Sequence, residues 1–164
     1  MLRRPCPECG LDTSAFAREE IPVLVRANAA AWREPLGAPD AARRAVPGKW
    51  SALEYGCHVR DVLRLYDYRL CLMLTRDDPL YPNWDQDETA VAERYDTQDP
   101  HAVAAELAAA ADKVATRFGA VAGDQWLRPG RRSDGASFTV ETFGRYFVHD
   151  PVHHLYDVTG QRYA

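Results

Sequence analysis

Hydrophobic positions fall into four stretches with helical spacing. Residues 18–34 carry apolar or small side chains at Leu24, Ala27, Ala31 and Trp32, and Pro22 suits an early helical position, where its missing N–H costs nothing. A second helix is predicted from about 52 to 75, with Val62, Leu65, Tyr66, Leu70 and Met73 on its apolar face. Ser51 and Glu54 form a capping box at its start, with Trp50 and Tyr55 as the hydrophobic staple. The third is the alanine-rich run to about Phe118, opened by Asp99 as N-cap and Pro100 as first helical residue. The fourth starts after Thr139, with Phe138 and Phe143 as staple, and runs to about 157, where Thr159-Gly160 stops it.

Polar, irregular stretches separate these elements. Residues 35–49 hold three prolines and two glycines and read as a loop. Residues 76–98 are long for a structureless connection, with a short helix near 88–95. Ser133-Asp134-Gly135 suggests the turn of a short β-hairpin between about 126–131 and 136–138. The expected fold is all-α: a four-helix bundle over residues 18–164 with long crossover connections, preceded by a Cys-x-x-Cys-containing lead-in over residues 1–17.

Composition narrows the function. The chain has 164 residues, one domain by size. Its net charge of −4 is a poor footprint for nucleic-acid binding. No stretch approaches the ~20 apolar residues of a membrane span, and the N-terminus lacks the apolar core of a secretory signal, so a cytoplasmic protein without membrane or nucleic-acid partners is expected.

The five histidines are unevenly placed. His101 sits in a first helical turn and reads as a surface residue. His149 and His153 lie one helical turn apart, about 6 Å along the axis, so two imidazoles can share one metal. His58, on the second helix, is the remaining interior candidate for a third ligand. Three His with an open fourth position is a catalytic zinc pattern; the alternative is three packed core histidines. His154 points about 100° away from His153 and is expected to pack elsewhere. His149-Asp150-Pro151-Val152-His153 also resembles the zincin His-Glu-x-x-His pattern, but Asp is shorter than the usual general base and Pro151 should kink the helix.

Trp50-Ser51-Ala52-Leu53-Glu54-Tyr55-Gly56-Cys57-His58 and Tyr146-Phe147-Val148-His149-Asp150-Pro151-Val152-His153-His154 resemble the second- and fourth-helix motifs of the DinB-like (DinB/YfiT) superfamily. The resemblance spans about residues 18–158. It implies a four-helix bundle holding one divalent metal on three ligands, carried over here to His58, His149 and His153. Many members place His at the first, fourth and fifth positions of the last motif, whereas here they stand at the first, fifth and sixth. The resemblance further implies low-molecular-weight-thiol S-transferase or thiol-dependent isomerase chemistry, with a small electrophile as substrate, and a homodimer. Zinc is the first candidate, with nickel or iron as alternatives. Eighteen of the 20 basic residues are Arg; such a bias fits a GC-rich genome and favours mycothiol as the thiol. Metal-assisted hydrolysis and a non-catalytic metal- or ligand-binding stress protein are the rival readings.

Supporting candidates surround these ligands. Asp61 can orient a ligand imidazole, or pair with Arg60 and Arg64 at the surface. Arg145 can hold a substrate carboxylate, and Tyr146 stands beside it. Trp84, Asp85 and Asp87 in the long connection can line a substrate mouth, or form a solvated acidic loop. Cys6 and Cys9 make half of a zinc knuckle. They are a reduced tail, a redox pair, or a second metal site completed by another chain or a distant His. Cys57 and Cys71 read as small apolar packers.

Overall fold

The computed structural model describes residues 4–163; Met1–Arg3 and Ala164, at the edges of the two expected segments, lie outside the described residues. Four long helices form the bundle: α1 (Ile21–Ala31), α3 (Ala52–Thr75), α5 (Pro100–Gly119) and α6 (Val140–Thr159). Short helices α2 (Arg33–Gly37) and α4 (Gln86–Ala92) lie in the connections. The α2 turn straddles the end of the first expected helix and the start of the stretch expected as a loop, with Leu36 fully buried. Burying one leucine is enough to fold a turn that Pro and Gly composition alone would leave irregular.

The predicted caps form. Glu54 N–H donates to Ser51 Oγ (3.2 Å), and Ser51 N–H to the Glu54 carboxylate (2.8 Å). Trp50 and Tyr55 meet edge-on at 5.5 Å, and Phe138 and Phe143 at 5.8 Å. Asp99 caps α5, Thr139 caps α6, and Gly160 closes α6 in a left-handed conformation, φ +71°. The hairpin is β2 (Pro129–Arg132) with β3 (Ser137–Thr139), antiparallel; an unforeseen strand β1 (Leu80–Tyr81) adds to β2 in parallel. Two residues are too few for a periodicity signal.

Helix α1 packs on α5 and α6, and α3 packs on the same two. The order around the bundle is therefore α1–α5–α3–α6, and helices consecutive among these four face each other diagonally in two of three steps. This crossover topology makes α3 and α6 neighbours. Tyr66 of α3 stacks on Phe143 and Phe147 of α6, both at 4.6 Å. Gly144 lets α1 approach: a Cβ there would lie 2.7 Å from Ile21 Cδ1 and 2.9 Å from Phe118 Cε1. The helix α6 runs unbroken through Pro151, whose carbonyl accepts from the buried Asn28 amide (3.1 Å).

Residues 4–17 pack onto this bundle. Cys9, Leu11, Thr13 and Phe16 are buried. The Arg145 guanidinium donates to the carbonyls of Thr13 (2.6 Å) and Phe16 (2.8 Å), and Tyr163 N–H donates to the Cys9 carbonyl (2.7 Å). Residues 4–17 and the stretch that follows α6 are thus tied together on the α6 side of the molecule.

Candidate metal centre

Helix α3 carries His58 inward, and its neighbour α6 presents Asp150 and His154 opposite it. One donor atom from each of these three lies within 4.8 Å of the others. Asp150 Oδ1 stands 3.7 Å from His58 Nε2 and 3.6 Å from His154 Nε2. These separations are too long for hydrogen bonds. They are close to the roughly 3.4 Å between two ligands of one tetrahedral zinc ion with bonds of ~2.1 Å.

Two of the three residues also leave donor atoms unpaired. Both ring nitrogens of His58 and Asp150 Oδ1 are buried without a hydrogen-bond partner. Buried polar atoms left so cost free energy that a bound cation would remove. These residues fit a divalent metal ion.

The surroundings tune the same atoms. Asp157 Oδ2 lies 3.0 Å from His154 Nδ1, so it can accept that N–H and leave the Nε2 lone pair facing Asp150. A carboxylate in this position fixes the tautomer of a ligating histidine. Trp84 stacks on His58, ring centroids 5.3 Å apart and planes within 4°, while Trp50 approaches at 5.4 Å. The Trp84 indole is itself held by the Thr89 hydroxyl (2.7 Å). Burial would raise the pKa of Asp150, but the imidazoles of His58, His154 and His149 outweigh it and hold the carboxyl below its usual range. Burial dominates at His154 and lowers its pKa despite Asp150 and Asp157. An anionic carboxylate and a neutral imidazole are the forms that bind metal.

The expected trio of His58, His149 and His153 is not what converges. His149 and His153 face away from His58 and gather with Cys6 and Cys9. The reason is rotational: the pairs 149/153 and 150/154 share the same four-residue spacing but sit ~100° apart around the helix. The pair that α6 brings to His58 includes Asp150, a ligand type as suitable as His. His101 is exposed, as expected.

The supporting candidates divide. Trp84 reaches the site, against His58. Tyr146 lines a cavity of about 460 Å³ that it shares with Cys6, Glu8, His149, Asp150, His153 and His154, among others. Asp61 does not turn to a ligand imidazole: its oxygens take the Arg60 guanidinium (2.9 and 3.1 Å) and the Tyr95 hydroxyl (2.5 Å). Arg145 is spent on the Thr13 and Phe16 carbonyls and on Glu141, holding the N-terminal segment in place. Asp85 is the N-cap of α4, accepting from Glu88 N–H (2.9 Å), and exposed Asp87 lines a different cavity beside Arg44 and Arg94. Both carboxylates serve solvent-side roles, while Trp84 and Ala90 turn to the core.

Cysteine environments separate sharply. Burial pushes the Cys57 thiol up to about 12, as suits an inert packer. Burial also acts to raise Cys6, but His149, the backbone N–H groups of Cys9 and Glu8, and His153 outweigh it and bring its pKa down to about 6.

Comparison with known proteins places the fold. The fold matches the solved structure of YfiT from Bacillus subtilis, described as a probable metal-dependent hydrolase with an unusual four-helix bundle topology. The TM-score is 0.77 at 19% identity, over 87% of this chain and 84% of that one. No match was found among curated proteins. Residues 23–158 match the sequence model of the DinB superfamily. That span includes α3, all but the last residue of α6 and all three converging donors, and the chain belongs to the DinB superfamily.

Proposed function

We propose that this is a metal-dependent enzyme whose single reactive ion is held by His58, Asp150 and His154. The observation that carries the reading is the convergence of three donors beside a cavity, with the donor atoms of His58 and Asp150 buried and unpaired. Three protein ligands leave a coordination position free, as catalytic rather than structural sites do. Zinc is the first candidate, with nickel or iron as alternatives, since a His₂-carboxylate set suits all three. Such an ion supplies Lewis acidity that lowers the pKa of a thiol or water molecule at its free position.

The protein's own groups do the rest. Asp157 orients His154. Trp84 and Trp50 flank His58 and exclude water from its ring. Tyr146, on the cavity wall, offers a hydroxyl to a bound substrate. The reaction we favour is transfer of a low-molecular-weight thiol, such as mycothiol, to a small electrophile, or a thiol-dependent isomerisation. Hydrolysis is the second reading, favoured by the description of YfiT.

The test is turnover of a panel of electrophiles by the zinc-loaded chain, with and without thiol. Turnover only with thiol supports transfer; turnover without it supports hydrolysis. Absence of both in a fully metallated protein overturns the enzyme reading in favour of a binding protein.

A further inference from the structure

Cys6 and Cys9 belong to a tight turn. Gly10 N–H donates to the Cys6 carbonyl (3.0 Å), Cys6 N–H donates to the Leu11 carbonyl (2.9 Å), and Gly10 adopts φ +84°. The turn faces α6. There His149 and His153 bring the set to four donors, all within 4.8 Å of one another.

Three of the four residues are buried. Cys9 is fully buried, and Cys6 and His149 are more than nine-tenths buried. His149 Nε2 is buried with no hydrogen-bond partner. His153 Nδ1 stands 3.7 Å from Cys6 Sγ, while its Nε2 faces Glu8 Oε2 at 3.3 Å and Asp157 Oδ1 at 3.8 Å. One nitrogen of His153 thus points into the cluster and the other toward carboxylates, the arrangement of a ligating histidine.

We propose that Cys6, Cys9, His149 and His153 form a second metal site, a closed tetrahedral zinc centre that fastens the N-terminal segment to α6. Two thiolates and two imidazoles are a complete structural zinc shell, with no position left for substrate. Ligands of such an ion lie roughly 3.3–3.8 Å apart, so the donors draw closer together where they stand wider than this. Each ligating cysteine gives up its thiol proton to solvent as the ion binds. Cys6, Pro7 and Glu8 also line the cavity that Asp150 and His154 share. The second ion therefore fixes one wall of the reactive pocket without entering it.

The full chain, purified untagged under reducing conditions, is loaded with Co²⁺ and, separately, with Zn²⁺. Two ions per chain are expected, and the cobalt form should show thiolate-to-cobalt charge-transfer absorption. Cys9→Ser should hold one ion and lose that absorption. His58→Ala should also hold one ion but keep it. In the unsubstituted protein, zinc should slow alkylation of Cys6 and Cys9, located by peptide mapping, at least tenfold. A cobalt form without thiolate charge transfer, or equal alkylation with and without zinc, overturns the proposal even if a variant fails to fold.

Discussion

Helix α6 carries two donor pairs of identical spacing, His149/His153 and Asp150/His154, and they face different worlds. The first pair meets two cysteines from the Cys6–Gly10 turn, giving four donors. The second meets only His58, giving three donors with a cavity alongside. The i,i+4 geometry is the same in both. What differs is how many donors the rest of the fold delivers, and this count decides whether an ion is saturated or left with a position for chemistry. Asp157 touches both sets, through Oδ2 to His154 and Oδ1 toward His153.

The largest effect expected is on turnover when the three-donor set is broken. His154→Ala should remove one metal ion and lower kcat/KM by about 10³-fold, because a Lewis acid contributes several kcal/mol and each 1.36 kcal/mol is tenfold. Cys9→Ser, which leaves those three donors intact, should lose far less. Equal losses in steady-state kinetics would mean that the two sets act as one centre and would break the comparison.

Stability should respond in the opposite order. Stripping the four-donor set should expose residues 4–17, raising their amide hydrogen exchange and lowering unfolding free energy by ~4 kcal/mol relative to zinc at a thousandfold excess over its Kd. His154→Ala should leave that exchange protection in place. A smaller effect should follow from Asp157→Asn, which weakens the orienting bond to His154: about a 10–100-fold loss of metal affinity at the three-donor set, read by competition with a chelator.

Much of this was legible in the sequence, and unevenly so. Ser51/Glu54, Asp99-Pro100 and Thr139 fixed the helix starts because caps are local. His58 stood out as the remaining interior histidine on a strongly patterned helix, and the family resemblance pointed to it as well. The choice between 149/153 and 150/154 was not, because it depends on the rotation of α6 about its own axis. That rotation is set by long-range packing: Phe143, Gly144 and Phe147 against Tyr66, Ile21 and Phe118. The partners of Cys6 and Cys9 lie some 140 residues away, and no spacing rule reaches them. Arg145 shows the same limit, since the carbonyls it serves belong to the N-terminal segment.

The smallest effect sharpens the contrast by using a buried carboxylate that has no need of a metal. Asp67 of α3 receives the Arg117 guanidinium at 2.6 and 3.2 Å and the Lys113 ammonium at 3.3 Å, both from α5. Burial alone would raise its pKa; the two cations outweigh it and hold it below the usual carboxylate range. Asp150, by contrast, has only imidazoles around Oδ1. A carboxylate with a depressed folded pKa stabilises the protein above its unfolded value near 3.9, and that contribution is lost as pH falls through the folded pKa. Asp67→Asn should therefore cost about 1.5–3 kcal/mol at pH 7, the range for hydrogen bonds to charged groups. Arg117 and Lys113 stay partly exposed and can turn to water, which favours the lower end. Urea unfolding from pH 7 down to pH 2, with chelator present, should show the variant and the parent converging only at the acid end. A gap that closed well above pH 4 would mean that Asp67 gains nothing from its cations and that its burial, like that of Asp150, awaits another partner.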